Sequence, residues 1–92
     1  MFSEYYLIRS KTDGSYLVAR PQADTTGYLL LFRENFEAST YLNTHACDVA
    51  SRFAIEFQTG SGVSNLLKRW GFQGVGIVKD PLLPNIEFLT HI

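Results

Sequence analysis

The segment YLLLF, residues 28–32, decides the fold because it is the longest apolar stretch in the chain. Gly27 precedes it and the charged residues Arg33 and Glu34 follow it, so its length is typical of a strand and too short for an ordinary helix. Successive side chains on a strand point to opposite faces of a sheet, and here both sets are apolar. We therefore predict a strand that is buried on both of its faces.

Two segments after this strand have helical spacing. We expect the first helix to have Asn35 as its N-cap, and the second to have Ser61 as its N-cap and Gly71 as its left-handed C-cap. Between them, residues 52–57 alternate with a period of two, which predicts a half-buried strand. The residues expected to face the sheet are Ala38, Tyr41, Leu42, His45 and Ala46 in the first helix, and Val63, Leu66, Leu67 and Trp70 in the second.

Further short strands lie on both sides of this centre. Residues 5–10 and 15–20 are separated by a turn that ends in Asp13 and Gly14. Such a pair supplies the positive φ angles of tight turns, so we predict an antiparallel hairpin. Residues 74–79 and 86–90 are two more expected strands, the last of them at an edge of the sheet.

The predicted element order is β-β-β-α-β-α-β-β in one domain, residues 1–92. This is an α/β (α+β) fold with a single mixed β-sheet and two helices packed on it. The strand–helix–strand–helix–strand centre predicts parallel pairing through right-handed crossovers. If both helices cover the same face, the other face exposes Tyr, Leu or Phe side chains unless another chain covers it.

The charge composition bears on the partners of the chain. The 8 basic and 9 acidic residues give a net charge of −1, which leaves no basic excess to neutralise phosphates and argues against nucleic-acid binding. Charged residues make up 18% of the chain, below the roughly 25% of average soluble proteins. A surface poor in charge favours a partner protein, and a second copy of the chain, as a homo-oligomer, is one candidate.

Cysteine content and apolar stretches bear on the compartment. The single cysteine, Cys47, excludes an internal disulfide, so the chain needs no oxidising compartment. Its first residues have no basic region and no long apolar run, unlike a secretory signal. The longest apolar stretch is far below the roughly 20 residues of a membrane-spanning helix. We therefore expect a cytoplasmic protein that does not cross a membrane.

The segment from Gly27 to Pro81 has an outline that occurs elsewhere. A strand leads into a short helix, a second strand, a Leu-rich helix and a Gly-Val-Gly-Ile-Val strand that ends at Asp80 and Pro81. In this outline it resembles the N-terminal domain of SseB-like proteins and some small cyanobacterial proteins of unassigned function. The resemblance covers a little over half of the chain and includes no catalytic signature. It implies an α/β fold and no particular chemistry.

The candidate ligand site is the segment Thr59-Gly60-Ser61-Gly62, between an expected strand and the second helix. A glycine-rich turn at a helix N-terminus presents backbone amides to an anion, and Thr59 and Ser61 add hydroxyl donors. No lysine follows Gly62, so the segment is not a Walker loop, and Asn65 stands where a dinucleotide fingerprint has its third glycine. The alternative is an ordinary connection in which Ser61 caps the helix.

Two charged residues extend this candidate site. Arg33 and Lys79 lie at expected strand ends, and in open α/β sheets ligands bind beyond the carboxyl ends of parallel strands. We expect both residues at the same edge of the sheet as Thr59 and Ser61. The alternative is that these charges only mark the places where strands reach solvent.

His45 and Cys47 are the remaining reactive residues. A Cys–His pair serves both nucleophilic catalysis and metal binding, but residues two apart on a helix face different directions. The chain has no second cysteine, and its other histidine is His91 near the C-terminus. We expect a helix-end histidine and a small, partly buried thiol, with no metal, no cofactor and no catalytic group.

The leading functional hypothesis is a non-enzymatic protein–protein interaction or assembly module that self-associates. It is based on the low charge, the many aromatic residues and the lack of a catalytic constellation. The alternative is a small-ligand or phosphate-binding domain that uses the helix N-terminus at residues 60–63. An enzyme is the third possibility, and it requires His45 and Cys47, or two carboxylates, to converge in one cleft.

Overall fold

The computed structural model describes residues 4–21, 27–83 and 85–90. These residues form a single mixed sheet of six strands with two α-helices packed on it, which confirms the predicted fold class. No helix in these ranges has the length and apolarity that crossing a membrane requires. In chain order the elements are β1 (Glu4–Ser10), β2 (Val18–Ala19), β3 (Tyr28–Phe32), α1 (Asn35–His45), a 3₁₀ helix (Cys47–Arg52), β4 (Phe53–Thr59), α2 (Gly60–Trp70), β5 (Gly74–Asp80) and β6 (Asn85–Thr90).

The strands lie in the order β4-β1-β3-β5-β6, and the short β2 pairs with β3. β3 and β5 are parallel, whereas β1 is antiparallel to both β3 and β4, and β6 is antiparallel to β5. The predicted parallel pairing is therefore right for β3 and β5 and wrong for β4. β4 lies at an edge of the sheet, where it pairs along its whole length with β1, from Glu4↔Thr59 to Ser10↔Phe53.

The N-terminal hairpin is shorter than predicted. The amide of Ser10 donates to the carbonyl of Ser15 over 2.8 Å, and Gly14 has the positive φ of 74° that the turn requires. After a single bridge between Arg9 and Tyr16 the chain diverges from β1, and β2 pairs with β3. The hairpin ends early because β3 occupies the same side of β1 further along.

The two helices pack on opposite faces of the sheet. Alternate residues of β3 divide the core, with Leu29 and Leu31 on the α2 side and Leu30 and Phe32 on the α1 side. All four side chains are at most 2% exposed, which confirms a strand buried on both faces. Packing of both helices on one face is therefore wrong, because a strand that is apolar on both sides needs a cover on each.

α2 is capped at both ends. β4 runs directly into the helix, so the N-cap is Thr59 and not Ser61 as predicted: Thr59 Oγ1 accepts a hydrogen bond of 3.2 Å from the amide of Gly62. At the other end, Gly71 has a φ of 72° and its amide donates to the carbonyl of Leu67. Gly71 is thus the left-handed C-cap that the sequence predicts.

α1 depends more on packing than on its ends. Its N-cap is Glu34, which makes no side-chain capping bond, and the predicted cap Asn35 is the first helical residue. Ala38 and Leu42 are buried in the core cluster that includes β3, as predicted. His45, predicted on the same apolar face, is exposed. The buried stripe is therefore narrower than the sequence indicates.

Candidate functional site

A groove of about 740 Å³ opens beside the start of α2. Three residues of the predicted ligand site, Thr59, Gly60 and Ser61, lie along its rim, together with Ser64 and Glu4. The floor is apolar because α2 packs on β1 and β3 and leaves β5 only half-buried on this face. The apolar residues that line the groove are Tyr5, Leu31, Phe57, Val63, Val75, Ile77 and Leu89.

The hydroxyl groups on this rim also serve the fold. Thr59 Oγ1 caps α2 through the amide of Gly62 and lies 3.4 Å from Ser61 Oγ. The amide of Gly62 is thereby engaged. The predicted anion site is reduced to the amides of Gly60 and Ser61 at the first turn of the helix.

Gly62 has a packing role. The side-chain oxygen of Gln58 lies where the Cβ atom of any other residue at this position would be placed. Gly60 and Gly62 are both helical residues of α2, so the predicted glycine-rich turn is wrong. Any other residue at position 62 would displace the Gln58 side chain, which passes closely over the helix, and Gly62 does not line the groove.

Arg33 and Lys79 lie at the same end of the sheet, as predicted, because β3 and β5 are adjacent and parallel. Arg33 Nη2 donates to the backbone carbonyl of Lys79 at 3.3 Å and lies 3.8 Å from a carboxylate oxygen of Glu37. Lys79 Nζ forms an ion pair of 2.9 Å with Glu87. Thr59, opposite Glu4 on β1, lies at this same end of the sheet, but neither Arg33 nor Lys79 lines the groove.

A polar cluster that the sequence does not predict lies on the α2 side of β4. Glu56 accepts a hydrogen bond of 2.6 Å from the hydroxyl of Tyr16 and forms an ion pair of 3.2 Å with Arg9. The Arg9 guanidinium lies 4.8 Å from the centre of the Tyr16 ring, and its Nε donates to the carbonyl of Gly14. The cluster therefore ties the N-terminal turn to an edge strand.

The environment of this cluster changes two pKa values. Burial, followed by the hydrogen bond and the charge of Glu56, raises the pKa of Tyr16 to about 12. Burial by itself raises the pKa of Glu56, but hydrogen bonds from Tyr16, Gln58 and Arg9 outweigh it, and the net pKa is lowered. At neutral pH the cluster thus has a neutral phenol that donates to a charged carboxylate.

Trp70 and Phe72 extend this cluster with aromatic rings. The Trp70 ring stacks on Phe72 at 6.0 Å and meets the Tyr16 ring edge-on at 5.4 Å. Trp70 is nevertheless exposed, in contrast to the predicted core position, because it lies in the last turn of α2 at the rim of the core.

His45 and Cys47 do not form a reactive pair. His45 Nε2 contacts the backbone carbonyl of Pro81 at 2.8 Å, and Cys47 Sγ lies 3.8 Å from a carboxylate oxygen of Asp48. The thiol, predicted to be partly buried, is exposed. His91 lies outside the described residues. Among the residues that are described, no three His, Cys, Asp or Glu side chains are placed to hold a metal ion.

β6 is an edge strand with an exposed apolar surface. On the α1 side, Phe88 is 42% exposed, and on the α2 side, Leu89 is 46% exposed. Within residues 4–21, 27–83 and 85–90, no strand pairs with the outer side of β6. Its one charged residue, Glu87, is paired with Lys79 on β5. Leu82 and Leu83, in the turn before β6, are also exposed.

Comparison with known proteins identifies no relative. No family model matches the chain, and no curated protein or solved structure is similar to it. The resemblance to SseB-like proteins therefore stays a prediction, and the function must be inferred from the geometry.

Proposed function

We propose that this chain is a non-enzymatic assembly module that binds a protein partner along the outer edge of β6. One observation carries the proposal: β6 is an edge strand with exposed apolar side chains, Phe88 and Leu89, on its two faces. A strand at a sheet edge has unpaired N–H and C=O groups, onto which another chain can add a strand.

The composition of β6 supports this proposal. Edge strands are commonly protected from pairing by lysines, prolines, bulges or covering elements. Residues 85–90 contain neither lysine nor proline, and the charge of Glu87 is already paired with Lys79. A partner strand would therefore meet an apolar edge with no uncompensated charge, and the hydrogen bonds of its backbone would supply affinity.

The position of α1 and α2 changes the reason for expecting a partner. An uncovered sheet face is not the reason to expect a partner, since each face carries a helix. The low charge content of 18% remains, and the open edge of β6 takes the place of the bare face. The proposal therefore keeps the predicted protein–protein interaction and places it at the β6 edge instead of on a sheet face.

The proposal can be tested by affinity capture from the native organism, with a tagged copy of the chain as bait. We expect a stoichiometric partner, identified by mass spectrometry, to be retained by the unmodified bait and lost with Phe88→Lys. The matched control is Phe57→Lys, because Phe57 is an exposed phenylalanine on the opposite edge strand, β4. Recovery of the same partners by all three baits would contradict the proposal.

A second candidate function is the binding of a small amphipathic ligand in the groove beside α2. The observation that favours it is the position of this groove, directly at the helix start that the sequence predicts as a ligand site. Its floor is apolar and only its rim is polar, which fits an apolar body with one anionic group better than a sugar phosphate.

This candidate is tested by NMR titration with decanoate, with inorganic phosphate as the control ligand. Amide shifts at Gly60 and Ser61, together with methyl shifts at Ile77, are expected for decanoate and absent for phosphate. Equal responses to both ligands, or no response at Ile77, would contradict an apolar site.

A further inference from the structure

We infer that the partner of β6 is a second copy of this chain, paired antiparallel about a two-fold axis that passes between the two Phe88 residues. This inference rests on the proposed function and specifies the partner and the alignment of the strands. It is called the Phe88 register below. In it Phe88 lies opposite Phe88 of the second copy, Glu87 opposite Leu89, and Ile86 opposite Thr90.

The symmetry of the sheet permits this pairing. A two-fold axis perpendicular to the sheet makes the two β6 strands antiparallel and keeps the α1 faces of both copies on the same side. Opposite residues must then point to the same face, which is true of Phe88 with itself and of Glu87 with Leu89. β5 and β6 are already antiparallel, so the second β6 continues the antiparallel ladder.

The side chains of β6 favour this register over its neighbours. If Glu87 lay opposite Glu87, two carboxylates would be directly opposed across the strands, which is destabilising even though each is paired with its own Lys79. If Leu89 lay opposite Leu89, the pairing within the described part of β6 would be restricted to residues 88–90 of each copy. The Phe88 register pairs residues 86–90 of each copy without an opposed pair of like charges.

The aromatic residues next to β6 add a further contact. The Phe88 ring meets the Tyr28 ring edge-on at 5.0 Å and extends over Gly76, where a Cβ atom would lie 3.3 Å from Phe88 Cε1. The inner side of the ring is thus held in place, and its outer part is exposed. Two such rings across the axis would form a row in the order Tyr28, Phe88, Phe88, Tyr28, and aromatic cross-strand pairs stabilise sheets.

Electrostatics favour a second copy as the occupant of this edge. The edge itself has no net charge, because Lys79 Nζ lies 2.9 Å from Glu87. A binding strand that was strongly acidic or basic would find no complementary charge there. A second copy presents the same neutral and apolar edge, and its net charge of −1 causes little repulsion between the two chains.

The test uses single cysteines on the α2 side of β6, so that Phe88 stays intact. Glu87→Cys and Leu89→Cys are made separately in a Cys47→Ser background and are oxidised alone and as a mixture. In the Phe88 register, positions 87 and 89 of two copies lie opposite each other at about 4.5–5.5 Å between Cα atoms, which a disulfide can bridge. Like positions are diagonal neighbours at about 7–8 Å, at or beyond the limit of a disulfide.

The expected result is a disulfide-linked dimer that forms from the mixture at least about tenfold faster than from either variant alone, together with a mass of about twice 10.4 kDa for the unmodified chain in sedimentation equilibrium. Phe36→Cys, at an exposed position in the first turn of α1, measures the rate of random collision.

The other outcomes separate this inference from the proposed function. Cross-linking of either variant with itself would overturn the Phe88 register. A chain that stays at 10.4 kDa at all concentrations and gives no cross-link above the Phe36→Cys rate would overturn the second copy as partner. The capture experiment decides the proposed function independently, since loss of a different protein with Phe88→Lys would support the β6 edge even if the mass and the cross-linking rates had overturned the second copy.

Discussion

β4 and β6 are the two edges of one sheet, and each has an exposed phenylalanine that meets a tyrosine ring edge-on. Phe57 on β4 is 49% exposed and lies 5.7 Å from the ring of Tyr6. Phe88 on β6 is 42% exposed and lies 5.0 Å from the ring of Tyr28. All four rings are on the α1 side of the sheet. The difference between the edges therefore lies in the rest of each strand.

The opposite faces of the two strands are engaged very differently. On β4, Glu56 is held by the hydroxyl of Tyr16 and by Arg9, and the 3₁₀ helix and α2 continue the chain at its two ends. On β6, Glu87 makes one half-exposed ion pair with Lys79, and the extensive contacts of the strand are with β5. An exposed aromatic ring therefore does not by itself mark an interface. What distinguishes β6 is how little of the strand is engaged by its own chain.

The largest expected effect is a difference in the free energy of unfolding between substitutions of Glu56 and of Glu87. Glu56→Ala removes the acceptor of the buried Tyr16 hydroxyl and the counterion of Arg9, and leaving such groups unsatisfied costs about 2 kcal/mol of unfolding free energy. Glu87→Ala removes only a half-exposed ion pair, so its effect stays within about 0.5 kcal/mol. Urea denaturation of both variants measures the difference. Equal losses would mean that β6 is as firmly held by its own chain as β4.

The next effect concerns association. Phe88→Ala removes the aromatic contact at the β6 edge, and we expect the dissociation constant of the dimer to rise by about tenfold, which corresponds to 1.4 kcal/mol. Phe57→Ala should leave the dissociation constant unchanged, although it removes a similar exposed ring from β4. Sedimentation equilibrium over a dilution series measures both. Weaker association for Phe57→Ala would contradict the proposal, because it would place the interface at β4.

A pH-dependent effect of about 1 kcal/mol, typical of one hydrogen bond, is expected from Tyr16. Because its pKa is raised from 10.0 to about 12 in the folded chain, its contribution to stability is complete below pH 10 and is lost as the pH rises towards 12. Tyr16→Phe lacks this contribution, so its stability should fall less between pH 9 and pH 11 than that of the unmodified chain. Denaturation at both pH values measures this, and parallel falls would contradict a buried phenol.

The smallest effect distinguishes the two hydroxyls at the end of β4. Thr59→Ala removes the N-cap of α2 and should cost about 0.5–1 kcal/mol, whereas Ser61→Ala should cost close to nothing. Denaturant midpoints of the two variants measure the difference. A larger loss for Ser61→Ala would restore the cap that the sequence suggests.

Local patterns explain which parts of the fold were predictable. Three of these patterns each involve only a few residues: the apolar run of β3, the alternation of apolar and polar residues in β4, and the glycine at position 71. The corresponding elements can therefore be predicted from them. The sequence predicts the cap of α2 two residues too late, because Ser61 and Thr59 are both good caps and only the length of the β4 ladder with β1 selects Thr59. Of the candidate site, Thr59, Gly60 and Ser61 line the groove, while Gly62, Arg33 and Lys79 make other contacts.

The cluster around Glu56 was missed for a related reason. Arg9 and Glu56 are 47 positions apart, and their approach depends on the pairing of β1 with β4. The alternation of each strand indicates which residues share a face, but no local signal indicates which strands are neighbours. The sequence shows a cation on one strand and an anion on another, but it does not show that the two side chains are in contact.

The sequence by itself determined the order of the elements, the two-sided burial of β3, the C-cap of α2 and the edge character of β6, since each follows from side chains close together in the chain. Only the tertiary structure decided that α1 and α2 cover opposite faces, that β4 lies beyond β1, and that the polar cluster closes one edge while β6 stays open. These features depend on contacts between distant segments, and the free energy of such contacts is set by how all the elements pack together.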